Sequence, residues 1–131
     1  MGKTLYTGDY EINASTKMLY PYIYSPSGLA QWFADDVTIN ADGIYTFDWE
    51  GEKNPAKLLA HRTNHYVKFE FLPNNEEDEE DPAYFELRLE LNELTQSVFI
   101  KITDYSDIDD LEELKDLWDS LIDSLRETVG G

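Results

Sequence analysis

The chain changes its hydrophobic period sharply near residue 107, and that change constrains the fold more than any other feature. In "HYVKFEF", Val67, Phe69 and Phe71 alternate with Lys68 and Glu70. In "YFELRLEL", Phe85, Leu87, Leu89 and Leu91 are opposed by Glu86, Arg88 and Glu90, and "SVFIKITDY" adds Val98, Ile100 and Ile102. A period of two sends alternate side chains to opposite faces, so these segments read as antiparallel strands with one buried face. From residue 107 the period becomes 3.6. In "DIDDLEELKDLWDSLIDSLRETV", the residues Leu111, Leu114, Leu117, Trp118, Leu121, Ile122 and Leu125 form one helical stripe. Burying that stripe contributes on the order of 10–20 kcal/mol before entropy is subtracted. Asp107, Asp109 and Asp110 crowd the helix N-terminus, where the dipole favours negative charge, and Gly130-Gly131 marks its end.

The first half supplies the remaining elements. "KTLYTGDYEIN" reads as a strand with Tyr10 and Ile12 on one face and Glu11 on the other. Ser15 is an N-cap for a short helix, "TKMLYPYI", which Pro21 is expected to limit. Ser25 is a second N-cap with Pro26 at the first helical position, and Leu29, Trp32 and Phe33 then share one face. Strand signals follow: "DVTIN", a turn at Ala41-Asp42-Gly43, and "IYTFDWE", in which Tyr45, Phe47 and Trp49 face inward and Thr46 and Asp48 outward. "GEKNP" reads as a turn, and "AKLLAH" and "HYVKFEF" flank another at Thr63-Asn64. Acids fill positions 76 through 81 in "NNEEDEEDP", and their mutual repulsion predicts a solvated, mobile connection over about 73–82.

With 131 residues the chain has the length of one domain, 1–131, and buries about two-thirds of its unfolded surface. A net charge of −18 repels phosphate backbones and anionic lipids, which excludes nucleic acid and membrane surfaces as expected partners. The same charge suits solubility, or a basic protein partner. Zero cysteines exclude disulfides, thiolate catalysis and Cys-ligated zinc. No apolar run reaches membrane-spanning length, and "MGKTLYTGDYEIN" lacks the apolar core of a signal peptide. Tyr6 stands where the Met1-Gly2 myristoylation motif needs Ser or Thr. The expectation is a cytoplasmic monomer.

Few residues suggest chemistry. His61 and His65 flank the Thr63-Asn64 turn and could face each other across a hairpin, but a metal needs a third ligand and a general base an oriented partner. In "DYSDIDDLEELK" the sixth residue is Asp109 and the twelfth Lys115, where a calcium loop needs Gly and Glu. No nucleophile elbow, phosphate-cradling loop or dinucleotide fingerprint is present. The expectation is therefore no metal, no cofactor and no catalytic residue.

The element order is strand, two short helices, about six strands and one long C-terminal helix, with six to seven strands in the sheet as a whole. That is an α+β helix-grip layout, a curved antiparallel sheet around a helix. With "EINASTKMLYPYIYSPSGLAQWFAD" at 11–35 and "LWDSLIDSL" at 117–125, the chain resembles the START-like domains of the SRPBCC superfamily. Its likeness is greatest to the branch of activators of the heat-shock-protein ATPase. The resemblance implies a cavity between sheet and helix, capped by Trp32 and Phe33 and lined also by Tyr45, Phe47, Trp49, Phe69, Phe71, Trp118 and Leu121. An aromatic cavity suits a small hydrophobic ligand, lipid-like or flat. The same rings could instead fill the core. The resemblance also implies two alternatives, a protein-interaction module like the chaperone activators and a cyclase or aromatase enzyme.

Overall fold

Residues 2–130 are described by a computed structural model of the chain; Met1 and Gly131, and with them part of the myristoylation and helix-end readings, lie outside the described residues. The order of elements is β1 (Thr4–Ile12), α1 (Thr16–Tyr24), α2 (Pro26–Leu29), β2 (Asp36–Ile39), β3 (Ile44–Trp49), β4 (Glu52–Arg62), β5 (Tyr66–Phe71), α3 (Glu76–Glu80), β6 (Tyr84–Asn92), β7 (Ser97–Ser106) and α4 (Leu111–Val129). The strands form one antiparallel seven-stranded sheet in the order β1-β7-β6-β5-β4-β3-β2. The two alternating segments with the clearest pattern, β6 and β7, pair Leu89 with Ile100 and Leu87 with Ile102, so opposed residues reinforce one face. Against that face lies α4, and the fold is the α+β helix-grip that the two periods predict.

Several boundaries differ from expectation. Pro21 does not end α1, which runs three residues further to Tyr24. Proline deprives the Lys17 carbonyl of its helical donor, but Lys17 and Pro21 are both exposed, so that carbonyl stays on the solvent side. The Pro21 carbonyl accepts from both the Ser25 N–H, at 3.0 Å, and Ser25 Oγ, at 2.8 Å. Ser25 therefore closes α1 while its Oγ accepts from Gly28 N and opens α2. The two helices meet so tightly that a Cβ on Gly28 would run into the Pro21 carbonyl.

The turn placed at "GEKNP" lies earlier. Glu50 (φ 54°) and Gly51 (φ 87°) are both left-handed, the conformation of a two-residue hairpin turn that follows the strand twist. β4 then begins at Glu52 and carries Asn54 and Pro55 within the strand. The acidic connection is solvated, as its charge requires, yet it winds into a helical turn, α3, capped by Asn75, whose side chain accepts from Asp78 N at 2.8 Å. Lys3 Nζ ties it down, lying 3.2 Å from Asp78 and 3.7 Å from Asp107, and the Tyr105 hydroxyl donates to Asp81.

The helical stripe is narrower than the sequence suggested. Leu114, Trp118, Ile122 and Leu125 are buried and Leu121 is partly buried, while Leu111 and Leu117 are exposed. Leu117 sits about 100° round the helix from Trp118, beyond the arc that one sheet face covers, and Leu111 is in the first turn. Leu91 is also exposed, because the β6–β7 hairpin carries it past the core toward a tip at Leu94.

Candidate functional site

Eight of the predicted lining residues converge on the middle of the grip as one packed cluster of rings. Phe33, just after α2, is its hub, with centroids 4.8 Å from Phe85, 5.3 Å from Trp49, 5.4 Å from Phe47 and 5.7 Å from Trp118. Phe47 lies 5.4 Å from Phe69, Tyr45 lies 4.8 Å from Phe69, and Phe71 lies 5.8 Å from Phe85. Rings at these separations are in contact. Trp32 touches the hub at 5.4 Å, and its indole donates to the Tyr22 carbonyl at 2.8 Å; the Trp49 indole donates to the Phe33 carbonyl at 2.8 Å. The pair Trp32-Phe33 thus locks the α1–α2 unit onto sheet and helix, and the rings fill the centre of the grip.

Space remains at its ends. On one side an open groove of about 380 Å³ runs between the α2 exit and α4, bordered by Trp32, Phe33, Trp49, Leu121 and Ser124. On the other side is a hollow of about 230 Å³, lined by Asn54, Pro55, Phe71, Leu72, Asp104 and Ser106. Asn74 and Asp78 of the acidic connection form one wall, so the tether from Lys3 also holds that wall in place.

Asp104 gives this hollow its chemistry. It stands opposite the buried Phe85 on β6 and Tyr6 on β1, on the inward face of β7, and is itself only partly buried. Oδ2 accepts a hydrogen bond from the Trp118 indole at 2.8 Å. Burial pushes the Asp104 carboxyl above its ordinary value, because a charge there loses hydration, and the indole N–H pulls it part of the way back. The sequence contains the signal for Asp104: the alternation Val98, Ile100, Ile102 continues with period two onto residue 104. Asn54 was hidden because its segment read as a turn.

The histidines do not meet. His61 pairs in register with Val67, its Nδ1 lies 3.2 Å from the Tyr20 hydroxyl, and its ring lies 5.1 Å from Tyr24. His65 belongs to the turn itself, where its N–H donates to the Arg62 carbonyl at 2.9 Å. Among the described residues no group of three or more His, Cys, Asp or Glu is arranged to hold a metal, and no helix is long and apolar enough to cross a membrane.

Known structures extend this picture. A solution structure of the protein BfR322 from Bacteroides fragilis is 35% identical over 98% of this chain and 92% of its own, with a TM-score of 0.64. The Aha1 dimer from Colwellia psychrerythraea is 18% identical over 96% of each chain, with a TM-score of 0.77. DynU16, from the dynemicin biosynthetic locus, is 13% identical over 96% of this chain and 47% of its own, with a TM-score of 0.75. The last two likenesses concern the fold alone. No curated protein matches the sequence. The sequence model of the START-like superfamily domain matches residues 1–131, and the chain therefore belongs to the START-like superfamily.

Proposed function

We propose that the chain is a binding domain that holds one small molecule in the hollow between the sheet and the acidic connection, at the end of the grip rather than at its ring-filled centre. The observation that carries this reading is Asp104, a partly buried carboxylate lining a hollow whose other walls include Pro55, Phe71 and Leu72. A few placed polar groups among apolar walls are the usual composition of a ligand site. The volume, about 230 Å³, lies just below the range of about 300–1,000 Å³ typical for drug-sized ligands, which favours a compact molecule over a sterol or fatty acid.

The test is a ¹H–¹⁵N titration of the whole chain with a mixed set of small polar fragments, fatty acids, sterols and flat aromatics. Shifts grouped on the Trp118 indole and the Asn54 and Asn74 side-chain amides support the reading. If those signals stay fixed with every compound, the binding reading falls. The charge of −18 favours a second reading, a protein-interaction module for a basic partner. It predicts that a basic protein shifts surface amides, with an affinity that drops as salt is raised.

A further inference from the structure

Resting on the ligand-binding reading, we propose that the hollow over Asp104 selects a small organic cation, a primary ammonium group on a short apolar body. The hydrogen-bonding inventory around Asp104 points one way. Two donors there are already used, the Trp118 indole on Asp104 Oδ2 and Asn54 Nδ2 on the carbonyls of Glu52 at 3.2 Å and Phe47 at 3.4 Å, while the Asn74 amide and the Ser106 hydroxyl also line the hollow. The Tyr105 hydroxyl donates to Asp81. Acceptors are left over. Asp104 Oδ1 takes no hydrogen bond from another described residue, and neither does Asn54 Oδ1. A ligand that satisfies those oxygens must bring N–H or O–H groups, and an ammonium brings three.

The charges agree. Asp78 and Asp107 also line the hollow, but both already face Lys3 Nζ. Lys53, which also lines the hollow, has a side chain 72% exposed that reaches out to Asp48 at 3.6 Å. Among the described residues no lysine, arginine or histidine is paired with Asp104. A partly buried carboxylate without a cation gains from a ligand that supplies one, because a charge-assisted hydrogen bond replaces lost hydration. Phe71, Pro55 and Leu72 offer apolar surface for a short alkyl or aryl body, and the net charge of −18 raises the local concentration of cations.

The experiment compares three probes of nearly equal shape, n-butylammonium, 1-butanol and butyrate, each titrated into the ¹⁵N-labelled full chain. The Trp118 indole signal is the readout, since its N–H donates to Asp104. Butylammonium is expected to shift it, with butanol and butyrate weaker by about tenfold or more. Asp104→Asn keeps the shape and an acceptor for the indole, and is expected to weaken butylammonium by the same factor. Equal or stronger binding of butanol or butyrate overturns the cation proposal and leaves the binding reading standing. Unchanged binding to the Asn variant also overturns it. If none of the three probes moves the indole, the cation proposal falls, while the broader fragment titration decides the binding reading separately.

Discussion

Tyr10 of β1 donates its phenol proton to Asp119 Oδ1 of α4 at 2.7 Å, and Tyr6 and Tyr10 share a second hydrogen bond at 2.6 Å. The long helix is thus fixed to the first strand by polar contacts as well as by its stripe. Asp119 is further held by Lys115 at 2.7 Å, one turn earlier. Together the Lys115 ammonium and the Tyr10 hydroxyl hold the Asp119 carboxyl below its ordinary value. A carboxyl depressed in the folded state stabilises above its unfolded pKa, and that contribution fades as pH falls through the folded value. Tyr10→Phe is expected to lower stability by about 1 kcal/mol at neutral pH. Its deficit relative to the parent should shrink as Asp119 is protonated, which denaturant unfolding at a series of acidic pH values checks.

Asp104 titrates with the opposite sign. Its carboxyl is raised, so the folded state favours the protonated form, and the stability this gives is present at low pH and lost as pH rises through the folded pKa. Asp104→Asn removes the charge and keeps an acceptor for the Trp118 indole. The variant should melt higher than the parent at neutral pH, and the difference should vanish below the ordinary carboxylate range. Melting curves over that pH range decide the matter; a lower melting temperature at every pH would show that the carboxylate is stabilising where it stands.

Gly28 tests how closely the two short helices pack. Its missing Cβ is replaced by the Pro21 carbonyl, and the atoms crowding it are backbone, which cannot swing away as a side chain would. Gly28→Ala should therefore destabilise by about 1–3 kcal/mol, the range for overpacking, even though alanine is the better helix former. Chemical denaturation compared with Ser27→Ala, an exposed neighbour, isolates the steric effect.

Phe33 carries the interior. Phe33→Ala empties the hub between Phe47, Phe85 and Trp118 and should cost about 3–5 kcal/mol. Phe33→Leu should cost less, since it retains volume. The pair of variants is also informative about binding: a deeper opening at the centre should let the alanine variant take up a small apolar probe such as benzene, read by recovery of melting temperature.

Strands and the long helix were legible because burial on one face imposes a period that the residues must obey: Val67, Phe69, Phe85, Leu87, Ile100 and Ile102 all face inward as read. What resisted reading depends on where elements stop and on what lies across from them. The Glu50-Gly51 turn has its left-handed backbone at a glutamate, which local preference does not announce. Pro21 is tolerated because its side of α1 faces solvent, a tertiary fact. Leu91 and Leu117 fit their periods yet lie beyond the area the core covers and are exposed. The ring residues were identified together, yet only packing distances distinguish a lined cavity from a filled core. Asp104 follows the period of β7 while breaking its chemistry, and it lines the hollow at the end of the grip.

A single side chain that touches the α2 exit, β3, β6 and α4 leaves the domain no independent portion to open first. Amide protons in those elements should then exchange with solvent through whole-molecule unfolding, with one common free energy, however far apart they lie along the chain. The β6–β7 tip around Leu94, which is 97% exposed, shares none of this linkage. Its amides should exchange many orders of magnitude sooner, so the protein's slowest clock is set by the reach of Phe33.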